Sequence, residues 1–506
     1  MVLLVTPIRL PMGSQAAQAV VGGMLPPTSQ LTLGPMALAL ENGVWPVIQF
    51  SPVLLTDSKS GAKVAVEALE VGFSPVRALF GQPGTTVTIV KPHLQIVQDL
   101  FGPRLTSFEL VEDPQGGPPT VRVQEGDDAF PSVEIGSAGI DLGNAAAQAG
   151  MRSDNDWLIS NLEASEQIIV DLVDQAAQGR FSRLRVRGGI VGMNDSVYGL
   201  FRRFENINID IGPSADLRNT HGTFAASLGG RTMRGSISRT LDEAGNARLE
   251  ADFTNVDFAA FLPFIDVDGS AMALRGGGAL SIDVNFDAAA GKLVDGRFKV
   301  DLTGLDLRIN KAYFPIASSI MDINWTPGTG QFALQESALQ IGKSSMRLKG
   351  IFAMGLDPTY GPTLGMVLNA RNVVVQPDDM AAPEAPFDSM EFSGWSAPLY
   401  GALGIDRLVA RKGDALVEAA GRVDMLQAGM GVDLTVAGQG VVADDMKRLW
   451  PYLVATESRE WFVANVTEGQ VTQARMAFKF PAGSMGVGDE VKPIPPGAVK
   501  IDMVGT

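Results

Sequence analysis

Residues 295–310 read DGRFKVDLTGLDLRIN. Phe298, Val300 and Leu302 alternate with Lys299, Asp301 and Thr303, the period of a half-buried β-strand. Gly304 interrupts, and the alternation resumes one residue out of step with Leu305, Leu307 and Ile309 against Asp306, Arg308 and Asn310. A turn or bulge at the glycine lets both halves present their apolar side to one surface. The same texture recurs along the chain. The fold is therefore expected to be decided by what covers so much one-sided apolar surface.

The pattern repeats on both sides of this stretch. Strands are expected at 30–33, 36–41, 47–55, 63–73 and 86–97, the last broken at Pro92. After a single long helix they return at 184–191, 207–211, 223–228, 234–238, 247–258, 278–286, 296–309, 320–325, 331–341 and 345–354. The helix is read over 155–177, with Trp157, Leu158, Leu162, Ile169, Leu172, Val173 and Ala176 on one side and Gly179 positioned to end it. Its other side carries Asp156, Glu163, Glu166, Asp171 and Asp174 and no basic residue, which suits a helix packed on a sheet better than one lying on a membrane. Residues 113–119 and 377–386 read as loops.

Composition narrows the function classes. The chain has 506 residues, 57 glycines, 30 prolines and a net charge of −16. That charge argues against nucleic acid, and against anionic headgroups held on a broad basic surface. There is no cysteine and only two histidines, His93 and His221, so thiolate and histidine chemistry have little to work with. No apolar run reaches the roughly 20 residues of a spanning helix. Both ends read as abrupt, as in a fragment.

Short catalytic patterns fail in context. Ile341–Gly342–Lys343–Ser344 echoes a phosphate loop, but Ser337 stands where its first glycine belongs. Gly394–Trp395–Ser396–Ala397–Pro398 ends in proline where a nucleophile elbow needs glycine. Ser60 and Lys63 fall in a turn. Asp266 and Asp268 open a calcium-like loop whose closing glutamate is Gly277 instead. No enzyme, cofactor or metal site is expected.

Two stretches resemble a known family. The order of a strand, TDSKSG (56–61), VEALEVGFSPVRALFG and TVTIVKPHLQIV resembles the N-terminal region of the bacterial AsmA-like proteins. A second stretch is DDMKRLWPYLVATESREWFVANVTEGQV (444–471). Asp444 or Asp445 is placed to cap a short helix ended by Pro451, and Thr456 to cap a second over 457–466. This looks like the central domain of YhdP-type members, with Leu449, Trp450, Pro451, Arg459, Trp461, Asn465, Gly469 and Val471 as matching positions. Trp450 and Trp461 are read as packing anchors. The resulting segmentation is an AsmA-like β region (1–112), a linker and helix (113–182), a repeating β-groove region (183–376) and a YhdP-like domain (377–506) holding a strand–helix–helix–strand element at 432–471.

The fold class expected is mainly β: an elongated, curled antiparallel sheet forming a groove, with a few short helices and one longer amphipathic helix. Roughly two dozen strands at ~4.8 Å spacing make a sheet on the order of 100 Å long, which must curl. Residue patterning alone leaves a chain of closed sandwiches equally open; the resemblance favours the groove. It also implies a periplasmic bridge conducting phospholipid from inner toward outer membrane, anchored in the inner membrane by a segment absent from this chain. Phe298, Val300, Leu302, Leu305, Leu307 and Ile309 would line the groove, and Leu449, Trp450, Pro451, Arg459, Trp461 and Gly469 would pack the family motif. Phospholipid, the two membranes and envelope proteins at either end would be the partners. The alternatives are an outer-membrane protein assembly factor of the TamB-like kind, or a β-scaffold without cargo.

Overall fold

The computed structural model describes residues 8–9, 29–41, 45–57, 63–73, 84–99, 102–106, 108–111, 120–123, 156–178, 183–195, 200–214, 218–228, 230–261, 272–287, 290–309, 312–357, 361–380, 383–397, 402–426, 429–450, 456–484 and 493–506. The 113–119 stretch, the Asp266 and Asp268 positions, Ser60, Asn310 and Pro451 lie outside them. The protein is mainly β, 72% strand, arranged as a large mixed sheet that is not closed into a barrel, with few short helices. Residues 1–139, 161–251 and 287–292 form one compact unit; residues 140–160, 252–286 and 293–506 form the other.

In the first unit the strands Thr85–Asp99 and Arg183–Asp195 run parallel, where an all-antiparallel sheet was expected. Parallel neighbours require a long crossover, and the connection between these two carries the helix α1, Asp156–Ala177. Pro92 does not break Thr85–Asp99 in two. A proline inside a paired strand needs an irregularity, and here Lys91 (φ 46°) and Gly188 (φ 66°) bulge together where the two strands meet. His221 lies in the strand Thr220–Leu228 and pairs with Ser238. His93 is half-buried, and that burial, with Arg203 adding, holds its imidazole below the ordinary value.

Helix α1 buries Ile169 and half-buries Leu162 and Val173. Glu166, expected on the solvent side, is buried instead. The Arg239 guanidinium reaches it from the strand Arg231–Leu241, its Nε donating to both carboxylate oxygens at 2.8 and 3.0 Å. A buried carboxylate is tolerable only when paired in this way.

The second unit is a meander of antiparallel strands from Lys292–Asp301 through Ala312–Thr326, Gln331–Ile341, Ser344–Asp357, Gly361–Val374, Phe387–Ala397, Ala402–Lys412, Ala415–Leu426, Gly429–Val442 and Gln470–Phe480 to Val499–Gly505. Ile341–Ser344 is the two-residue hairpin between two of them, with Gly342 at φ 56°, and Lys343 makes an exposed ion pair with Asp378. Ser396 sits within a strand, opposite Leu364 and Leu403. Neither arrangement resembles the helix-linked loop that each catalytic pattern requires.

The 295–310 stretch divides as its sequence suggests. The strands Lys292–Asp301 and Asp306–Ile309 flank a turn in which Gly304 takes φ 84°, a conformation costly for any residue with a Cβ. Leu305 N–H closes the turn onto Leu302 O at 3.2 Å. Beyond the turn the apolar side is covered. Leu305 is 1% exposed, in a cluster with Ala259, Leu274 and Ile316, and Phe258 and Leu302 pack against it. The 3-10 turn Phe258–Phe261 supplies that cover.

Candidate functional site

In an antiparallel sheet, residues in register share a face. Following register partners across the second unit gives one row: Phe298, Ile323, Leu334, Gly350, Leu368, Phe392, Leu408, Ala419, Val436, Met476 and Ile501. Every strand of the meander contributes one residue, and none is polar. The adjacent row on the same face runs from Trp325 through Phe332, Phe352, Met366, Gly394, Ile405, Gly421, Leu434 and Phe478 to Val499. Across the sheet the chemistry differs. Lys349, Asn369, Glu391, Val409, Glu418, Ala437, Arg475 and Asp502 form a row on the other face.

Several strand pairs shift register by a bulge, at Ser319/Ile323, Leu334/Ser337, Ser393/Gly394 and Ile405/Leu408 among others. A one-residue slip alone would send the following side chains to the wrong face. The bulges fall where the sequence alternation itself slips, so the apolar residues stay aligned. At its start the face is aromatic. Trp325 stacks on Phe332 with centroids 5.4 Å apart, and Phe298 lies 5.8 Å from Trp325. Gly296 makes room for this, because a Cβ there would stand 2.9 Å from Trp325 Cε3.

Most of the first row is half-buried: Phe298, Ile323, Leu368, Phe392, Leu408, Val436 and Met476. Core residues of a closed sandwich would be fully buried. The face is covered at its other end, by two helices. The strand Gly429–Val442 passes directly into α2, Ala443–Leu449, and α3, Thr456–Asn465, returns to Gln470–Phe480. Helix α2 has no side-chain cap; Ala443 N–H donates to Gly469 O at 3.0 Å, while Asp444 and Asp445 occupy the first turn. There they favour the positive end of the helix dipole.

A buried polar knot ties this helix pair down. Arg459, 2% exposed, forks onto the Asp379 carboxylate, with Nη2 to Oδ1 at 3.0 Å. Its Nε donates to Trp450 O at 3.2 Å and Nη2 to Lys447 O at 3.3 Å. Desolvation by burial lowers its pKa from the ordinary value. Asp445 receives Lys412 Nζ at 2.7 Å and Arg448 Nη1 at 3.2 Å, and Arg448 also donates to Pro383 O. Leu449 packs against the cluster of Ala370, Val373, Phe387 and Ala410, while Met446 packs with Val441, Val471 and Ala474. The Trp450 ring lies 5.7 Å from Phe462.

Under this roof lies a cavity of about 390 Å³ whose walls are Met446, Trp450, Trp461, Phe462, Met476, Ile501 and Met503, with Glu457 and Ser458 as its polar lining. A smaller one of about 70 Å³ shares Met446, Trp450 and Met476 and continues to Leu449, Val436 and Phe478. Met476 and Ile501 end the apolar row, so the row leads into the cavity. Here Trp461 departs from the expected packing role. It is 63% exposed, because α3 is held through Arg459 on its opposite side.

The groove residues singled out in sequence are divided by the fold. Phe298 belongs to the half-buried face. Val300 pairs with Met321 beside it. Leu302 and Leu305 belong to the covered cluster, and Leu307 pairs with Leu274 and Phe314. Ile309 is in strand, paired with Met272. Leu368, Phe392 and Leu408 escaped notice, although their alternation with charged neighbours was available in Glu391 and Arg407. Among the described residues no cluster of acidic or histidine side chains could hold a metal, and no helix is long and apolar enough to cross a membrane. No family model, curated protein or solved structure matches the chain.

Proposed function

We propose that the protein conducts phospholipid, its acyl chains lying on the apolar face of the second unit and its headgroup remaining in water. The observation that carries this reading is the register row from Phe298 to Ile501, unbroken by a polar side chain and mostly half-buried. At about 0.8 kcal/mol per CH2, a sixteen-carbon chain entering water faces roughly 12 kcal/mol. A continuous apolar path removes most of that barrier at each step and requires no chemistry, so no catalytic residue is assigned. On the sequence resemblance to AsmA-like proteins, the conduction we propose runs through the bacterial periplasm, from the inner toward the outer membrane.

The test is the lipid content of the intact protein purified from its membranes. Mass spectrometry should find bound phospholipid, and a variant carrying Leu368→Asp, Phe392→Asp and Leu408→Asp should stay folded and lose it. A protein that never carries lipid would refute the proposal. The assembly-factor reading has one observation in its favour. The strand Val499–Gly505 is largely exposed and pairs, among the described residues, only with Gln470–Phe480. An open edge of this kind can add a strand from another chain.

A further inference from the structure

We infer that the cavity beneath α2 and α3 is a binding site for one hydrocarbon chain bearing a cationic or zwitterionic ammonium head, and that Glu457 and Trp461 select that head. The inference rests on the lipid reading and adds the substrate class at this position. The cavity walls, Met446, Phe462, Met476 and Ile501, offer a tail only apolar contact. Its volume, about 390 Å³, lies at the small end of ligand pockets, a size for a single chain and not for a folded peptide.

The polar chemistry lies on α3. Glu457 and Trp461 stand four residues apart on the helix and both line the cavity, so they are neighbours on one helical face. A carboxylate beside an exposed indole is a recognised combination for an ammonium group, through charge and through the negative face of the ring. No ion pair neutralises Glu457 among the described residues. Arg459, the nearest cation in sequence, turns away and is consumed by Asp379, Trp450 O and Lys447 O. The field that opposes a cation here is the amino-terminal end of α3, and Glu457 in the first turn offsets it. An anionic head meets that carboxylate with no basic side chain in the cavity wall to compensate.

The experiment compares two probes with the same single acyl chain, lysophosphatidylethanolamine and lysophosphatidylglycerol. Each is titrated into the full chain below its micelle concentration and followed by calorimetry. The ethanolamine lipid should bind several-fold to about tenfold more tightly. Glu457→Gln should erase most of that preference, and Trp461→Leu should weaken the ethanolamine lipid more than the glycerol one, with circular dichroism unchanged in both. Equal affinity in the unaltered protein, binding of neither lipid, or a preference that survives Glu457→Gln would each overturn the inference. Photo-crosslinking of phospholipid at Leu368 and Leu408 reads conduction separately. Capture there without headgroup preference removes this site and leaves conduction standing; preference without capture does the reverse.

Discussion

Leu305 and Leu408 are the same residue type in the same alternating sequence context, one closing the turn before the strand Asp306–Ile309 and the other within the strand Ala402–Lys412, and the fold treats them differently. Leu305 is sealed under the Phe258–Phe261 turn with Leu274 and Ile316. Leu408 sits on the row between Phe392 and Ala419 and stays half-buried. One region is an ordinary core, whose side chains hold the sheet together. The other is apolar surface that the described residues leave partly uncovered. Alternation sets which face is apolar; the insertion that follows a strand sets whether that face is closed.

The largest expected effect is at the sealed corner. Leu305→Asp removes a packed side chain and leaves a carboxylate without a partner, a loss of about 4 kcal/mol or more. Leu408→Asp should cost only roughly 1 kcal/mol, because its charge can hydrate. Urea denaturation of the two variants reads the difference directly. Equal losses would mean that the row is as closed as the corner.

Next comes the roof. Arg459→Ala removes the buried donor to the Trp450 and Lys447 carbonyls, while the Asp379 carboxylate, more than a third exposed, can hydrate; the change should cost about 1–3 kcal/mol, with hydrogen exchange accelerated in α2 and α3 before the rest of the unit. Arg459→Lys keeps the charge but not the planar fork, and should recover only part of the loss. A roof that exchanges slowly in Arg459→Ala would show that Leu449 and Met446 hold it unaided. At the aromatic start of the row, Gly296→Ala drives a Cβ against Trp325 and should cost roughly 1–3 kcal/mol. Gly328→Ala, where a Cβ meets nothing within 4 Å, should be neutral in the same thermal melts.

The smallest effect belongs to the opposite, polar face. The hydrogen bond from Arg297 holds the Asp322 carboxyl below its ordinary value. A depressed carboxylate contributes stability above its unfolded pKa and loses it as the pH falls through the folded value. Asp322→Asn should therefore lower the melting temperature slightly at neutral pH and not at all in acid. A gap that widened on acidification would reverse the assignment.

Much of this arrangement was legible in residue order. The helix at 155–177 is α1 with one residue trimmed, the strand at 331–341 matches Gln331–Ile341, and the turn at Gly304 is where the broken alternation places it. The middle of the meander was less readable. Gly365, Gly394 and Gly404 blur the period of two in the strands that hold Leu368, Phe392 and Leu408, and Gly394–Pro398 looks more like a turn than a strand end. The site was half visible. Leu449, Trp450 and Arg459 stood out as a motif, yet the partner of Arg459 is Asp379, eighty positions away. No local pattern could have shown that the arginine would draw α3 down and leave Trp461 facing outward over the cavity.

The most direct test of the account places photo-crosslinking residues at Leu368 and Leu408 on the row, and at Val367 and Arg407 on the other face. Val367 is the sharper control, being apolar and 40% exposed, so stickiness alone would label it as well. Phospholipid should be captured at 368 and 408 and not at 367 or 407. Equal capture on both faces, or capture on neither, would contradict the proposal.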